Sequence, residues 1–332
     1  MNNKVRIPLF HVPLKAAPLS SEEGIALLMV LWVLTVLMVI VLSFSFMTRT
    51  ETHATLSFKE GIEKKFLAEA GIERGMVEML YRRQNLNAGD SEIWKADGTP
   101  YSDQLSNGKY TVRIMDESGK LDINTLNDSS AILFKNLLIN AGVKAEDADT
   151  IADSVLDWKD ADDLHRLHGA ESDYYRSLPN PYKAKNADFD TVEELLMVKG
   201  MTPEILYGTE EKRGIIGSLT VNSRVGSINL NAAPRELLMA LPGMTAEIAD
   251  GIIKIREEKE IQGLQDVQAV LGESYKLMAS YVGFSASNAF TIDAVGFKDS
   301  EAKGYRVTAT VIMESNNKYR YVYYKSPMNV TR

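Results

Sequence analysis

Carboxylates are the residues of this chain with the clearest potential chemistry. Between residues 146 and 176 there are ten acidic residues and only three basic ones. Carboxylates so close together repel one another unless a cation lies between them. Ca²⁺ suits such a group because it accepts about six to eight oxygen ligands in irregular geometry. A solvated acidic helix end is the alternative, and the twelve-residue EF-hand loop with its glycine and final glutamate is absent.

The acidic residues form two groups, one from residue 157 to 163 and one from 169 to 175. A loop through Gly169 would bring the groups together around one calcium ion or two. Asp157 and Asp163 are held in reserve as ligands. The predicted calcium ligands are Asp160, Asp162, Glu171 and Asp173.

Enzyme chemistry has little support in the sequence. His165 and His168, with neighbouring aspartates, would suit a zinc site, although two histidines three residues apart are more often incidental. His11 and His53 lie elsewhere, and none of the four has a Gly-x-Ser-x-Gly context. Cysteine is absent, and so is a glycine-rich phosphate loop. The sequence therefore predicts a protein that is not an enzyme.

Two stretches predict helix-hairpin-helix motifs, which commonly hold nucleic-acid phosphates with the amides of the hairpin. The stronger is Leu241-Pro242-Gly243-Met244-Thr245, and Val198-Lys199-Gly200-Met201-Thr202 is a weaker copy. Residues 125–286 carry 16 lysines and arginines against 26 aspartates and glutamates, and the whole chain has a net charge of -8. DNA binding relies on cations, so a structural or protein-contacting role is favoured. A membrane-anchored DNA-uptake receptor remains the alternative function.

Residues 25–46 are the element that organises the chain. These 22 residues carry no charge. As a helix they would span roughly 33 Å, enough to cross a bilayer core of about 30 Å. A buried core helix is the alternative, but few core helices are apolar on all sides for this length. The sequence predicts a single transmembrane helix.

The segment before the apolar run predicts how the helix is inserted. Lys4, Arg6 and Lys15 favour a cytoplasmic N-terminus, with the rest of the chain on the other side. The small-residue junction Gly24–Ile25 precedes the apolar run, so cleavage there would leave the membrane helix on the mature protein. Residues 1–24 resemble the leader of type IV prepilins and type II secretion pseudopilins, whose peptidase cuts after the glycine.

Met29 would be the fifth residue of the mature chain, where most members of that superfamily have glutamate. The glutamate is thought to pair with the N-terminal ammonium of the subunit above it. An unpaired carboxylate in the membrane costs several kcal/mol. An apolar residue is therefore expected in a subunit with no neighbour above it, at the tip of a fibre.

Beyond the membrane, residues 47–84 are predicted to continue the helix and to pack on a domain through Ile62, Phe66, Ala70, Val77 and Tyr81. Residues 85–109 read as a loop. Alternating residues predict strands, with a hairpin turn through Asn316-Asn317. The predicted strands are 110–115, 120–123, 290–295, 305–313 and 319–324.

These elements predict an α+β fold, in which the long helix packs on a small antiparallel sheet made by both ends of the chain. The sheet domain comprises residues 85–124 and 287–332. Residues 125–286 form a large all-α insert with helix-hairpin-helix (SAM-like) motifs. The insert also has an internal echo, since the segments 121–126 and 227–232 are similar and each would cap a following helix.

The order of several motifs resembles the general secretion pathway protein K family, the minor pseudopilins K of type II secretion. The resemblance rests on Met29, Gly-Lys-Leu-Asp-Ile-Asn, Asp-Trp-Lys-Asp-Ala-Asp-Asp with Gly-Ala-Glu-Ser-Asp-Tyr-Tyr, Thr-Val-Glu-Glu-Leu-Leu-Met-Val-Lys-Gly-Met and Ile-Asn-Leu-Asn-Ala-Ala-Pro. It implies a pilin-like fold in the bacterial inner membrane with a periplasmic C-terminal domain. It also implies bound calcium, processing by prepilin peptidase, and a pseudopilus-tip complex with the minor pseudopilins I and J. The leader of 24 residues with three prolines is a departure from the family pattern.

Overall fold

The computed structural model describes residues 21–84, 93–298, 303–314 and 318–328. The chain divides into two compact units after Glu60. In its described part, the first unit is the beginning of helix α1, which runs Ser21–Gln84 over 64 residues. Residues 25–46 are all exposed, and α1 is long and apolar enough to cross a membrane. Residues 1–20 of the predicted leader lie outside the described residues.

The second unit, Gly61–Arg332, contains the strands and the other helices. In the described residues the strands are β1 (Asp97–Leu105), β2 (Gly108–Asp116), β3 (Leu121–Asp122), β4 (Leu219–Thr220), β5 (Ile228–Asn229), β6 (Val282–Gly283), β7 (Ala289–Lys298), β8 (Tyr305–Met313) and β9 (Tyr319–Met328). The α-helices after α1 are α2 (Ala131–Asn140), α3 (Ala145–Lys159), α4 (Ser172–Arg176), α5 (Pro203–Tyr207), α6 (Arg235–Leu238), α7 (Ala246–Glu258), α8 (Leu264–Leu271) and α9 (Tyr275–Met278).

Five strands form one antiparallel sheet in the order β1-β2-β7-β8-β9. The prediction that both ends of the chain build one sheet is confirmed, since Val112 of β2 pairs with Ala294 of β7. Neither end alone would supply enough strands for a stable sheet with a buried face. The Asn316-Asn317 turn between β8 and β9 lies outside the described residues.

Helix α1 packs on this sheet through small residues and a few buried apolar ones. Ala68, Ile72 and Met76 are buried against residues of β2 and β7. At Gly296 of β7 an added Cβ would lie 2.1 Å from the carbonyl oxygen of Lys64. Only glycine allows the helix and the strand to approach this closely.

The predicted packing face of α1 is wrong. Ile62, Phe66, Val77 and Tyr81 are between 38 % and 62 % exposed and lie on the opposite side of the helix from the buried face. Ala70, the fifth residue of the predicted face, is half-buried. The helix carries two apolar stripes, and the sequence-based reading chose the one with the larger side chains. The sheet takes the other stripe because Gly71 and Gly75 there let the backbone come close.

Two secondary-structure predictions near the start of the sheet, one of a loop and one of a strand, are also wrong. β1 lies inside the predicted loop 85–109, of which residues 85–92 are outside the described residues. Its side chains are mostly exposed because β1 is an edge strand, so it lacks the apolar alternation of a half-buried strand. The predicted strand 120–123 is reduced to β3, which pairs in parallel with β4 of the insert rather than with the main sheet.

The insert leaves and rejoins the sheet at a single buried junction. Asp116, the last residue of β2, is 2 % exposed and accepts hydrogen bonds from the Ser287 hydroxyl at 2.7 Å and from the Ser118 hydroxyl at 2.8 Å. Burial raises the pKa of Asp116, and these hydrogen bonds partly offset that effect. Between Leu121 and Val282, buried apolar residues of the insert form a second cluster, separate from the one under the sheet.

The insert is not purely helical, because it contains two short parallel strand pairs, β3 with β4 and β5 with β6. They carry the internal echo seen in the sequence. The side-chain oxygen of Asn124 accepts a hydrogen bond from the Phe189 amide at 2.8 Å, and that of Asn231 accepts one from the Ile261 amide at 2.8 Å. Each asparagine follows a two-residue strand and ties it to a distant loop.

In each of the two similar segments, a basic side chain donates hydrogen bonds to backbone carbonyl oxygens. Lys159, at the end of α3, donates to the carbonyl oxygens of Asn124 at 2.8 Å and of Leu126 at 2.6 Å. Arg256 of α7 donates to the carbonyl oxygens of Leu230 at 2.9 Å and of Ala233 at 2.7 Å. The insert therefore has two halves of similar construction, and the acidic segment belongs to the first.

Candidate metal site

The first acidic group, residues 157–163, spans the end of α3, and a buried aromatic cluster fixes that end. Trp158 is 2 % exposed and packs edge-on against Tyr175, with ring centroids 5.0 Å apart. Its indole donates a hydrogen bond to Glu194 at 2.9 Å. A buried tryptophan of this kind contributes on the order of 3–5 kcal/mol to stability. The carboxylates before and after it are thereby held in fixed positions.

Asp157 is fully buried, and its carboxylate pairs with Arg166. Its carboxylate accepts a hydrogen bond from the Arg166 guanidinium at 2.7 Å and from the Arg166 backbone N–H at 3.2 Å. Burial raises the pKa of Asp157, and Arg166 acts against that rise. Arg166 also pairs with Asp160 at 2.6 Å and with Asp128 at 3.0 Å. Asp157, a reserve ligand in the sequence-based prediction, therefore positions the loop.

Three of the four predicted ligands converge. Asp160, Asp162 and Glu171 each offer an oxygen, and these oxygens lie within 4.8 Å of one another. Two oxygens bound to the same Ca²⁺ at about 2.4 Å lie at most about 4.8 Å apart. The three oxygens are therefore close enough together to bind one ion.

Three carboxylate oxygens in this group of ligands are buried and lack hydrogen-bond partners. Both carboxylate oxygens of Glu171 and one of Asp160 are buried without a hydrogen-bond partner. Glu171 itself is only 1 % exposed. Its pKa is raised to about 7, first by desolvation and then by Asp157, Asp160 and Asp163. A buried carboxylate without a partner is costly, and a cation at this point would satisfy it.

The fourth predicted ligand, Asp173, lies outside the group. Its side chain is 73 % exposed, and its carboxylate is 3.1 Å from Nε2 of His165. Glu171 is the N-cap of α4, whereas Asp173 lies in the first turn, so their side chains diverge. The reserve residue Asp163 is exposed and is likewise not part of the group.

A zinc site is not supported by the described residues. Neither His165 nor His168 belongs to the group of converging ligands. His165 pairs with Asp173, and the backbone N–H of His168 donates to Asp153 at 3.2 Å. The oxygen-only donor set is that of a hard cation such as Ca²⁺.

Two residues that shape the loop, Arg166 and Lys199, were not singled out as functional from sequence, whereas Gly169 was expected to bring the two acidic groups together. Arg166 is the only basic residue between 160 and 175, and a lone cation in an acidic run was the available signal. Lys199 donates to the carbonyl oxygen of Gly169 at 3.1 Å. An added Cβ on Gly169 would lie 1.8 Å from a carboxylate oxygen of Asp157. These contacts between distant segments leave no pattern in the sequence.

The predicted processing residues lie in the first unit. α1 begins at Ser21, so Gly24 and Ile25 are already helical. Met29 is exposed along the apolar part of α1. Nothing in this helix tests cleavage at Gly24 or a role of Met29 at the tip.

Both predicted helix-hairpin-helix stretches have a short first helix. α6 has four residues before the Leu-Pro-Gly turn, and the weaker copy begins with a 3₁₀ turn, Val192–Met197. In each, a threonine caps the second helix: Thr245 accepts from the Ile248 amide and Thr202 from the Ile205 amide. Arg235 of α6 pairs with Asp250 of α7 at 2.7 Å, so this cation is already engaged.

Comparison with known families finds a match over residues 119–208 to the model of "Type II secretion system (T2SS), protein K". The type II secretion system protein K of Pectobacterium carotovorum is 28 % identical over 206 residues, covering 56 % of this chain and 60 % of that protein. The protein K of Pseudomonas aeruginosa is 24 % identical over 260 residues, covering 74 % of this chain and 76 % of that protein. The match to the Pectobacterium relative thus spans less than two thirds of that protein's length.

Among solved structures, the fold is similar to a chain in the crystal structure of the GspK-GspI-GspJ complex from the enterotoxigenic Escherichia coli type 2 secretion system. The TM-score is 0.62 at 16 % identity, and the match covers 84 % of this chain and 100 % of that chain. At this identity the likeness concerns the fold. It agrees with the predicted α+β architecture of long helix, antiparallel sheet and helical insert.

Proposed function

We propose that this chain, a relative of type II secretion system protein K, is a minor pseudopilin that initiates or caps the pseudopilus during protein export. The observation that carries the proposal is the joint occurrence of the matched segment 119–208 and the apolar helix at residues 25–46. In this proposal the helix spans the bacterial inner membrane once. The N-terminus is cytoplasmic and residues 47–332 are periplasmic, as the basic residues before the helix favour.

Processing at Gly24–Ile25 and a place at the tip complete the proposal for the membrane helix. Prepilin peptidase would release residues 1–24 and leave Ile25 as the mature N-terminus. Met29 supports the tip position because an apolar residue needs no cationic partner from a subunit above it. The role is one of assembly, and catalysis is not part of it.

The proposed partners are the minor pseudopilins I and J. This rests on the fold shared with a chain of the GspK-GspI-GspJ complex. Ile62, Phe66 and Val77 offer a surface for such partners, because they form an apolar stripe on the side of α1 turned away from the sheet. Exposed apolar stripes on a helix are ordinarily covered by another helix.

Calcium is the proposed ligand of the acidic site. Asp160, Asp162 and Glu171 would supply ligands, and the buried unpaired oxygens of Glu171 and Asp160 are the observation that supports it. The ion would tie the loop after α3 to the start of α4. Its role would be structural, since binding to the folded state alone raises stability.

The DNA-uptake alternative has no observation in its favour. The insert is acidic overall, and Arg235 beside the stronger hairpin is paired with Asp250. A deletion strain tests the two functions together. We expect loss of protein export, restored by the full chain whose mature N-terminus is Ile25 by mass spectrometry, and co-purification of the chain with pseudopilins I and J. Normal export together with lost DNA uptake would contradict the proposal.

A further inference from the structure

The loop that follows α3 exposes two leucines to an unusual degree. Leu164 is 76 % exposed and Leu167 is 88 % exposed. These values exceed those of all the large apolar residues in the membrane-spanning segment, where Leu27 is the highest at 73 %. Neither leucine belongs to the apolar clusters of the described residues. Two neighbouring leucines kept in water lose the free energy that their burial would provide.

The exposure does not come from a loose loop. The Leu164 amide donates to Asp162 at 2.9 Å, and Arg166 is held by Asp128, Asp157 and Asp160. The loop continues through His168, whose N–H donates to Asp153 and whose carbonyl accepts from Lys199 at 3.4 Å. Backbone and polar side chains are fixed on both sides of each leucine. The two apolar side chains are thus presented in a preformed arrangement, which lowers the entropic cost of binding.

The surroundings of the leucines are acidic. Asp163 is an exposed carboxylate of the same loop, and Arg166 is already paired with three aspartates. The insert that carries the loop has 26 acidic residues against 16 basic ones. An anionic lipid surface would be repelled by this charge. A second copy of the chain, with its net charge of -8, is opposed by the same sign of charge. A protein surface with lysine or arginine around an apolar pocket is complementary to it.

We propose that Leu164 and Leu167 form a docking prong that inserts into an apolar pocket, rimmed by basic residues, on a partner protein. The prong is separate from the exposed stripe of α1 and does not depend on the identity of the pseudopilus partners. Leucines at the centre and carboxylates at the rim match the anatomy of protein interfaces, where apolar anchors provide affinity and rim charges speed association.

A photo-crosslinking residue at position 167 of the full chain, expressed in cells, tests the prong. The control carries the same residue at Leu277, which is 59 % exposed elsewhere in the insert. We expect a crosslink to a different protein at 167 and not at 277. Mass spectrometry should map it to apolar residues flanked by lysine or arginine. A crosslink to lipid, a product of twice the chain's mass, or no crosslink above the control would overturn the proposal.

Binding of the purified full chain in detergent to the crosslinked protein then tests the two chemical elements separately. Replacing both leucines, Leu164→Ser and Leu167→Ser, should weaken binding by about tenfold or more. Asp163→Lys should weaken it at low salt and less at high salt, because the rim contribution is screened. Leu277→Ser should leave affinity unchanged. Unchanged affinity in the double leucine variant, with an unchanged melting temperature, would overturn the proposal.

Discussion

Glu171 is the residue on which the calcium proposal turns, because both of its carboxylate oxygens are buried without a partner. We expect full-length chain in detergent, freed of metal by chelation, to melt at a higher temperature when calcium is added. A calcium concentration about a hundredfold above Kd would add about 2.7 kcal/mol of stability. Magnesium should act much less, since it demands a tight octahedral shell.

In Glu171→Gln most of this calcium-induced shift should be lost, because a buried ligand charge is removed. Asp173→Asn is the matched control two residues away, and it should keep the shift because Asp173 faces His165 instead. Thermal melts with and without calcium measure both. If the glutamine variant responded to calcium as the original does, Glu171 would not be a ligand.

Gly169 allows a second prediction at the level of single residues, which concerns the stability of the loop after α3. A Cβ at this position would overlap the carboxylate of Asp157, which is itself fixed by Arg166. We expect Gly169→Ala to destabilise the protein by about 1–3 kcal/mol, the usual cost of overpacking. Denaturant unfolding of the full chain measures it.

Gly217→Ala is the control for this substitution, since an added Cβ there meets nothing within 4 Å. Its effect should stay within about 0.5 kcal/mol. Equal stability of the two variants would mean that the loop yields at Gly169 more easily than its hydrogen bonds indicate.

Among the elements, α1 combines a buried and an exposed apolar stripe on one helix. Met76 belongs to the buried stripe and is 1 % exposed, whereas the adjacent Val77 belongs to the exposed stripe and is 53 % exposed. Met76→Asp should destabilise the second unit by at least about 3 kcal/mol, because it buries an unpaired charge. Val77→Asp should leave the melting temperature nearly unchanged and reduce co-purification with pseudopilins I and J.

A thermal melt measures the stability of both variants, and a pull-down from cells measures their co-purification with pseudopilins I and J. Loss of stability in Val77→Asp would show that the exposed stripe is used within the chain. Undiminished co-purification would exclude Val77 from the partner surface and leave the tip proposal itself intact.

At the level of the whole molecule, the proposed tip position makes a prediction about the apolar residue Met29. In Met29→Glu the carboxylate would lie in the membrane without a cationic partner, at a cost of several kcal/mol. We expect reduced export with an unchanged melting temperature, because residues 61–332 form a separate compact unit. Met29→Leu should export normally. Export by the glutamate variant at the original rate would contradict the capping argument.

Much of this protein follows from local patterns. An apolar, uncharged run of 22 residues has the length and composition of a transmembrane helix. The alternating residues of β2, β7 and β8 predicted their strands correctly because each strand has one buried face. β9 was also predicted from its alternation, although its described side chains are only half-buried or exposed. Mutual repulsion of carboxylates identified the acidic segment, and three of its four proposed ligands converge.

The tertiary structure decided the choices between patterns that are locally equivalent. Two apolar stripes of α1 were available, and close approach at Gly296 selected the one with small residues. Glu171 and Asp173 are both carboxylates near the start of α4, yet only Glu171 turns toward Asp160. β1 was missed because its mostly exposed residues do not alternate, and β3 was misassigned because its partner strand β4 lies about a hundred residues away. For α1 and β3 the deciding contact joins residues far apart in sequence, and its energy depends on distances that composition and spacing do not contain.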